Sequence, residues 1–261
     1  TRKESHQKLR NRFANRDRLS VVTLEGVYDS VDIRYKGINF ATLELSKGFN
    51  DLFGAMGNAS TAFNNVGADV RPSRQGGPPN RNFAEGEFFK MFATASRLQT
   101  LKNNLSLLVR TELQLTDDIL VPMEQYSIGG PDHVRAFPQA QFLADNALFF
   151  SVELIHNMPF ITDVPAFGNR TWGELVQLSV FYDHALGHLE APLVGDPQDH
   201  LNFKGAGVQL RFTLPGVIES RLMFAKEVGS QVYNDDASDP NKFVTGNGRS
   251  MQIWGEITYR F

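Results

Sequence analysis

The sequence predicts an all-β protein built as a transmembrane antiparallel β-barrel, and three observations carry that prediction. Apolar and polar residues alternate with period two along much of the 261-residue chain, in segments of about the 9–11 residues that a tilted strand needs to cross a bilayer. The connections alternate between tight turns and long loops rich in Gly, Pro, Asn and Asp. Arginine and glutamate residues of the clearest segments keep to one face, opposite an apolar face that ends in a terminal aromatic. A soluble β-sandwich also alternates, but strand length, charge placement and the terminal aromatic favour the barrel.

Taken in order, weaker alternation marks strands near residues 19–29, 38–48 and 86–99. LSLLVRTELQL sets Leu105, Leu107, Val109, Thr111 and Leu113 against Ser106, Leu108, Arg110, Glu112 and Gln114. After a long loop at 117–144, ALFFSVEL sets Leu148, Phe150, Val152 and Leu154 against Ala147, Phe149, Ser151 and Glu153. LVQLSVFYD, inside a strand at 172–185, opposes Val176, Leu178, Val180 and Tyr182 to Gln177, Ser179, Phe181 and Asp183. AGVQLRFTL continues the pattern at 206–214, and 217–227 repeats it more weakly. The chain ends in MQIWGEITYRF, where Met251, Ile253, Gly255, Ile257, Tyr259 and Phe261 share the apolar face. These make about nine strands. Tight turns fall near 30–37, 100–104 and 214–216, and long polar loops at 50–82, 117–144, 187–203 and 229–250. The linker at 157–171 is long for its side.

The bulk numbers exclude several function classes. A net charge of −3 argues against a nucleic-acid partner held by a basic surface. The absence of cysteine rules out disulfides, thiolate metal sites and a cysteine nucleophile. No apolar run reaches the length of a membrane helix. TRKESHQKLRNRF has no apolar core and is not a signal peptide; beginning with threonine, the chain reads as a processed protein or a fragment.

One stretch stands apart from the alternation: SIGGPDHVRAFPQ, residues 127–139. Its glycines and prolines announce tight turns, and it carries a lone arginine among apolar neighbours. SIGGPDHVRAF, then FFSVEL, then VQLSVFYDHA, then a terminal strand ending in YRF, resembles the barrel of a two-partner secretion transporter of the haemolysin and filamentous-haemagglutinin secretion family. That family shares an outer-membrane superfamily with the barrel-assembly insertase. The resemblance is close over 125–261 and looser over 19–115.

The resemblance implies an extracellular loop that folds into the lumen through a Val-Arg-Gly-Phe/Tyr motif. Gly129, Gly130, Val134, Arg135 and Phe137 match, with Ala136 in place of the glycine. It implies that Arg135 pairs with Asp183 of a Phe-x-Asp-x-Gly strand motif, here Phe181, Asp183 and Ala185, and that Glu153 of the Ser-x-Glu-Leu strand stands nearby. The two alanines make the turn less permissive of positive φ. Since a lone guanidinium in a crowded lumen is costly, two carboxylates would compensate it. Read alone, Arg135 in a Gly/Pro-rich loop would be solvated; read with its partners it is a latch.

The resemblance further implies a roughly 16-stranded barrel, of which this chain supplies the C-terminal ~9 strands. About four strands precede the loop and five follow it, so roughly seven strands, a plug helix and periplasmic domains would lie upstream. A secreted haemolysin-, adhesin- or haemagglutinin-like polypeptide would cross the lumen without nucleotide hydrolysis, in the outer membrane of a Gram-negative bacterium. Ile257, Tyr259 and Phe261 resemble the signal read by the barrel-assembly machinery, and the apolar face meets the lipid bilayer. Rival readings are the sister insertase, a passive porin or barrel anchor of an exported enzyme, and a soluble binding sandwich.

Nothing in the sequence points to an enzyme or a cofactor. GNGRS at 246–250 lacks the spacing of a phosphate-binding loop, and no Gly-x-Ser-x-Gly elbow occurs. His184 and His188 stand four apart, a metal spacing on a helix but too far apart on a strand.

Overall fold

In the computed structural model, residues 1–9, 12–58, 73–74, 83–102, 104–158, 160–190, 200–229 and 251–260 are described. Ten strands form one antiparallel sheet in which each strand pairs with its neighbours in chain order: β1 (Arg2–Leu9), β2 (Arg12–Asp32), β3 (Gly37–Gly48), β4 (Phe88–Lys102), β5 (Leu105–Leu115), β8 (Asn146–Asn157), β9 (Val176–His188), β10 (His200–Leu214), β11 (Ile218–Glu227) and β12 (Met251–Tyr259). Between β5 and β8 the chain makes a small hairpin, β6 (Tyr126–Ile128) with β7 (Phe142–Ala144). The sheet is open, with β1 and β12 at its edges.

Period-two patterning sets the two faces, because cross-strand partners point the same way. On β8, Ala147, Phe149, Ser151 and Glu153 are buried while Leu148, Phe150 and Leu154 are exposed. On β9, Ser179, Phe181, Asp183 and Ala185 are buried and Leu178, Val180, Tyr182 and Leu186 are exposed. The register carries these faces across to β10, β11 and β12. The loop between β5 and β8 covers the polar face, called inner below. Its Ile128, Val134, Phe137 and Phe142 pack with Phe149, Phe181, Leu201 and Phe203 of the sheet into the main apolar cluster. The outer face is an uncovered apolar band: Val180 lies level with Leu154 on one side and Val208 on the other.

Five strands, not four, precede the inserted loop. The additional one is β1, whose RKESHQKL sequence has almost no apolar residue and hence no alternation to read. It pairs with the first half of the 21-residue β2, which runs well beyond the span expected at 19–29. The strand expected from residue 172 begins at Val176. Trp172–Leu175 is instead a helical turn, α1, opened by a capping box of Thr171 and Glu174.

Arginine is not confined to the inner face. Arg97 faces outward on β4, level with Asn39 and Val109, beside the β2–β3 turn, bonded to Asn39 at 2.8 Å and Asp32 at 3.1 Å. Lys204 and Lys226 face outward at the opposite, long-loop end. Charge therefore reaches the outer face at both rims and leaves the middle apolar, as a bilayer-facing wall requires. Phe261, GNGRS and most of the loops at 50–82, 187–203 and 229–250 lie outside the described residues.

An arginine in the middle of that band is expected to be expensive. Val180→Arg should destabilise the lipid-inserted protein by about 2–4 kcal/mol, and His184→Arg, nearer the rim, by about 0–1 kcal/mol. Urea titration of the heat-modifiable folded band in phospholipid vesicles measures both.

Candidate functional site

The loop's local sequence explains how it delivers one side chain to the inner face. Tyr126–Ile128 and Phe142–Ala144 pair as a two-stranded stem. Gly129 and Gly130 then adopt φ of +98° and +103°, a conformation that costs glycine nothing. The Gly130 amide donates to Phe137 O at 3.0 Å, and the Phe137 amide to Val134 O at 3.1 Å. That second bond closes a turn over Val134–Phe137, with Arg135 at its first corner and Ala136 at its second. Ala136 does not adopt a positive φ, so this turn does not require the glycine that the sequence lacks there.

Arg135 is 2% exposed, and the structure brings Asp183 and Glu153 to it. Its Nε and Nη2 donate to the two oxygens of Asp183 at 2.9 and 2.8 Å, a bidentate fork. Its backbone N–H donates to Asp183 Oδ2 at 3.1 Å, so one carboxylate fixes both side chain and turn. Nη1 donates to Glu153 Oε2 at 2.7 Å. The guanidinium carbon sits 3.3 Å from the centroid of the Phe181 ring, which backs the cation from below.

The carboxylates have their own supports. Ser151 donates to Asp183 at 2.8 Å, and Ser179 and Gln209 donate to Glu153 at 2.6 and 3.1 Å. Burial draws the Arg135 pKa down, but the bonds and charges of Asp183 and Glu153 outweigh it and raise it above the usual arginine range. The group is a fixed cation with every strong acceptor in place.

Packing around the turn depends on missing side chains. A Cβ on Gly205, which pairs with Asp183 across β9 and β10, would stand 2.5 Å from Ala136 Cβ. A Cβ on Gly207 would stand 2.6 Å from Phe181 Cζ. Glycines on β10 thus make room for the Ala136 methyl and for the ring under Arg135.

Alternation did not reveal the other attachments of the loop. At its base Asp145, fully buried, accepts from Arg74 Nη1 at 2.7 and 2.8 Å, from Gln125 at 3.0 Å, and from the Leu120 and Glu190 amides. Glu124, also buried, takes Lys3 at 2.6 Å and Lys90 at 2.9 Å. Nothing in the local sequence sets these two acids apart from Asp117, Asp118 and Asp132 of the same polar loop. Near the tip, Glu112 accepts from Tyr126 at 2.9 Å and faces His133 at 3.5 Å. Burial and the Glu112 carboxylate push the Tyr126 phenol far up, so it remains a donor.

Ile257 and Tyr259 point outward from β12 and are exposed, away from this site. His184 bonds Asn202 at 2.8 Å and His188 faces Glu190 at 3.4 Å. Among the described residues no group of histidines and acids is arranged to hold a metal ion.

Comparison with known proteins supplies the family. The model of the haemolysin secretion/activation protein family ShlB/FhaC/HecB matches residues 16–169, more than half of the chain. That stretch contains Arg135 and Glu153 and ends before Asp183. Among solved structures, CdiB from Escherichia coli superposes with a TM-score of 0.66 at 17% identity, covering 98% of this chain and 40% of that one. The chain thus spans about two fifths of the length of that solved relative, and the likeness concerns the fold, an open portion of a β-barrel wall. No curated protein matches. The chain belongs to the haemolysin secretion/activation family.

The fit between turn and strand is testable. Gly205→Ala should drive the Ala136 methyl out and expose the peptide bond after Arg135 to trypsin, raising cleavage there about tenfold or more. Adding Ala136→Gly should restore resistance, as read by mass spectrometry of the fragments.

Proposed function

From membership of this family, we propose that the chain is the C-terminal part of the barrel of an outer-membrane transporter that secretes a partner polypeptide of the haemolysin, adhesin or haemagglutinin kind. Further strands of a roughly 16-stranded barrel and periplasmic domains complete it upstream. The partner crosses unfolded through the lumen, and transport draws on no nucleotide. The wall lies in the outer membrane of a Gram-negative cell, inserted by the barrel-assembly machinery, which reads the apolar face ending in Ile257, Tyr259 and Phe261.

The observation that carries this reading is the buried charge set of Arg135, Asp183 and Glu153. A passive pore has no use for a loop pinned across its inner face by an ion pair. A conduit that must stay shut until a partner engages it does. In this reading the loop 117–144 lies in the lumen and the ion pair is its latch. The pair is suited to switching, because breaking it leaves an uncompensated buried charge unless the whole tip moves out together. The sister activity, insertion of barrel proteins, would use the same wall, and nothing in the inner face favours it.

The experiment is secretion by the intact transporter. Arg135→Ala should insert normally but cut export of the partner at least tenfold. Asp183→Asn keeps the shape but removes the charge and turns an amide NH2 toward two of the four donors that the carboxylate accepts; it should fall between Arg135→Ala and the parent. Normal export by Arg135→Ala overturns the latch. Export of nothing by any variant or the parent, alongside insertion of reporter barrels, would assign the insertase activity instead.

A further inference from the structure

At the end of the sheet where β2 and β3, β4 and β5, and β10 and β11 are joined by tight turns, β8 and β9 are joined by residues 158–175. This connection is folded. Pro165 bridges Thr171, and the Ala166 amide donates to Arg170 O at 2.7 Å. The Trp172 and Gly173 amides donate to Val164 O and Thr162 O at 3.0 Å. A Cβ on Gly173 would stand 2.5 Å from Thr162 Cγ2, so α1 packs closely on Thr162.

The folded unit lies against the outward face. Val176 and Phe212 are level on β9 and β10 and point the same way as Val180 and Val208. The Phe212 ring is 6.0 Å from that of Phe167, and Phe167 meets Trp172 edge to face at 6.0 Å. Val176 is only 7% exposed although it points outward, whereas Leu178, the next outward residue on β9, is 38% exposed. The connection thus covers the outward row nearest the turn and leaves the wall beyond it open. Its own Phe160, Val164 and Phe167 are exposed.

We propose that residues 158–175 form a foot seated in the headgroup region of the membrane leaflet on the short-turn side, where Phe160, Val164, Phe167 and Trp172 contact phospholipid. The inference rests on reading the outward band as a bilayer-facing wall, and it adds a lipid site at the wall's lower rim. Short turns mark the periplasmic end of such a wall. Through Phe212 the foot is continuous with the outward row of Leu178 and Val180, so it meets the lipid that they meet. A connection built for water would gain nothing from three exposed apolar side chains. Aromatic rings, the indole above all, are at home where apolar chains give way to headgroups. Because its backbone bonds are already closed, the foot inserts without an ordering cost. It also fixes the depth of the wall, which a uniform apolar band does not.

The test uses the intact transporter labelled with 5-fluorotryptophan in phosphatidylcholine vesicles. The Trp172 resonance is assigned by its loss in Trp172→Phe, and Phe160→Trp and Val180→Trp each add one resonance. The other tryptophan of this chain, Trp254, points inward from β12, donates to Arg135 O at 2.7 Å and serves as the reference. A nitroxide lipid with its radical near the headgroup should erase the Trp172 and Phe160→Trp signals and affect Trp254 least. A radical at the chain end should erase the Val180→Trp signal instead, and a water-soluble gadolinium chelate should spare all of these. If the Val180→Trp signal is erased but the Trp172 or Phe160→Trp signal survives the headgroup radical, the foot is overturned and the wall stands. Erasure of the surviving signal by gadolinium then places the connection in water, and its persistence places it against protein. If the Val180→Trp signal survives both lipids, the bilayer-facing wall itself fails.

Discussion

Burying one guanidinium dictates most of what surrounds the loop. Arg135 can sit over Phe181, between Val134 and Ala136 of the apolar cluster, only because two carboxylates, two hydroxyls and a carboxamide stand on the neighbouring strands. Remove any main partner and the remaining charge is stranded, at a cost of roughly 3–5 kcal/mol. Such a set has no stable intermediate, since a partly withdrawn arginine loses its bidentate geometry before water can replace it. The tip of the loop is therefore held by a contact that favours two discrete arrangements over a graded one.

The same constraint explains the composition of the inner face. A wall meant only to pack a loop would be apolar, yet β8 and β9 place Ser151, Glu153, Ser179 and Asp183 there in successive rows. β10 answers with small residues, Gly205 and Gly207, directly opposite Asp183 and Phe181. Polar rows supply the acceptors and the glycines supply the volume. Neither works alone: with larger residues on β10 the turn would stand off the sheet, and the fork distances of 2.8–2.9 Å would open.

How much of this was legible in the sequence follows from what alternation encodes. Faces were readable wherever a strand has one apolar side, which is why β5, β8, β9, β10 and β12 stood out. β1 was invisible because neither of its sides is apolar. α1 was mistaken for strand because a four-residue helical turn leaves no period to detect. At the site, Arg135, Asp183 and Glu153 could be named because each is a charge where the local pattern is apolar or where a family motif repeats. Arg74, Gly205 and Trp254 could not. Their partners are set by register and by a loop returning from far along the chain, and no local pattern records which strand lies opposite.

The loop has two kinds of attachment, and their placement decides how it can move. Its stems are clamped by Asp145 to Arg74 and by Glu124 to Lys3 and Lys90, each carboxylate buried and multiply bonded. Its tip is held by Arg135 and by the Trp254 contact. Between stem and tip lie Gly129 and Gly130, whose positive φ values are open to glycine and strained for any other residue. Moving the tip alone would break one buried carboxylate site and leave the stem bonded, whereas withdrawal of the entire loop would break three at once. A swing of the tip about the glycine pair is the motion that disrupts the fewest charged contacts, and it leaves the β6–β7 hairpin as the fixed end of the lever.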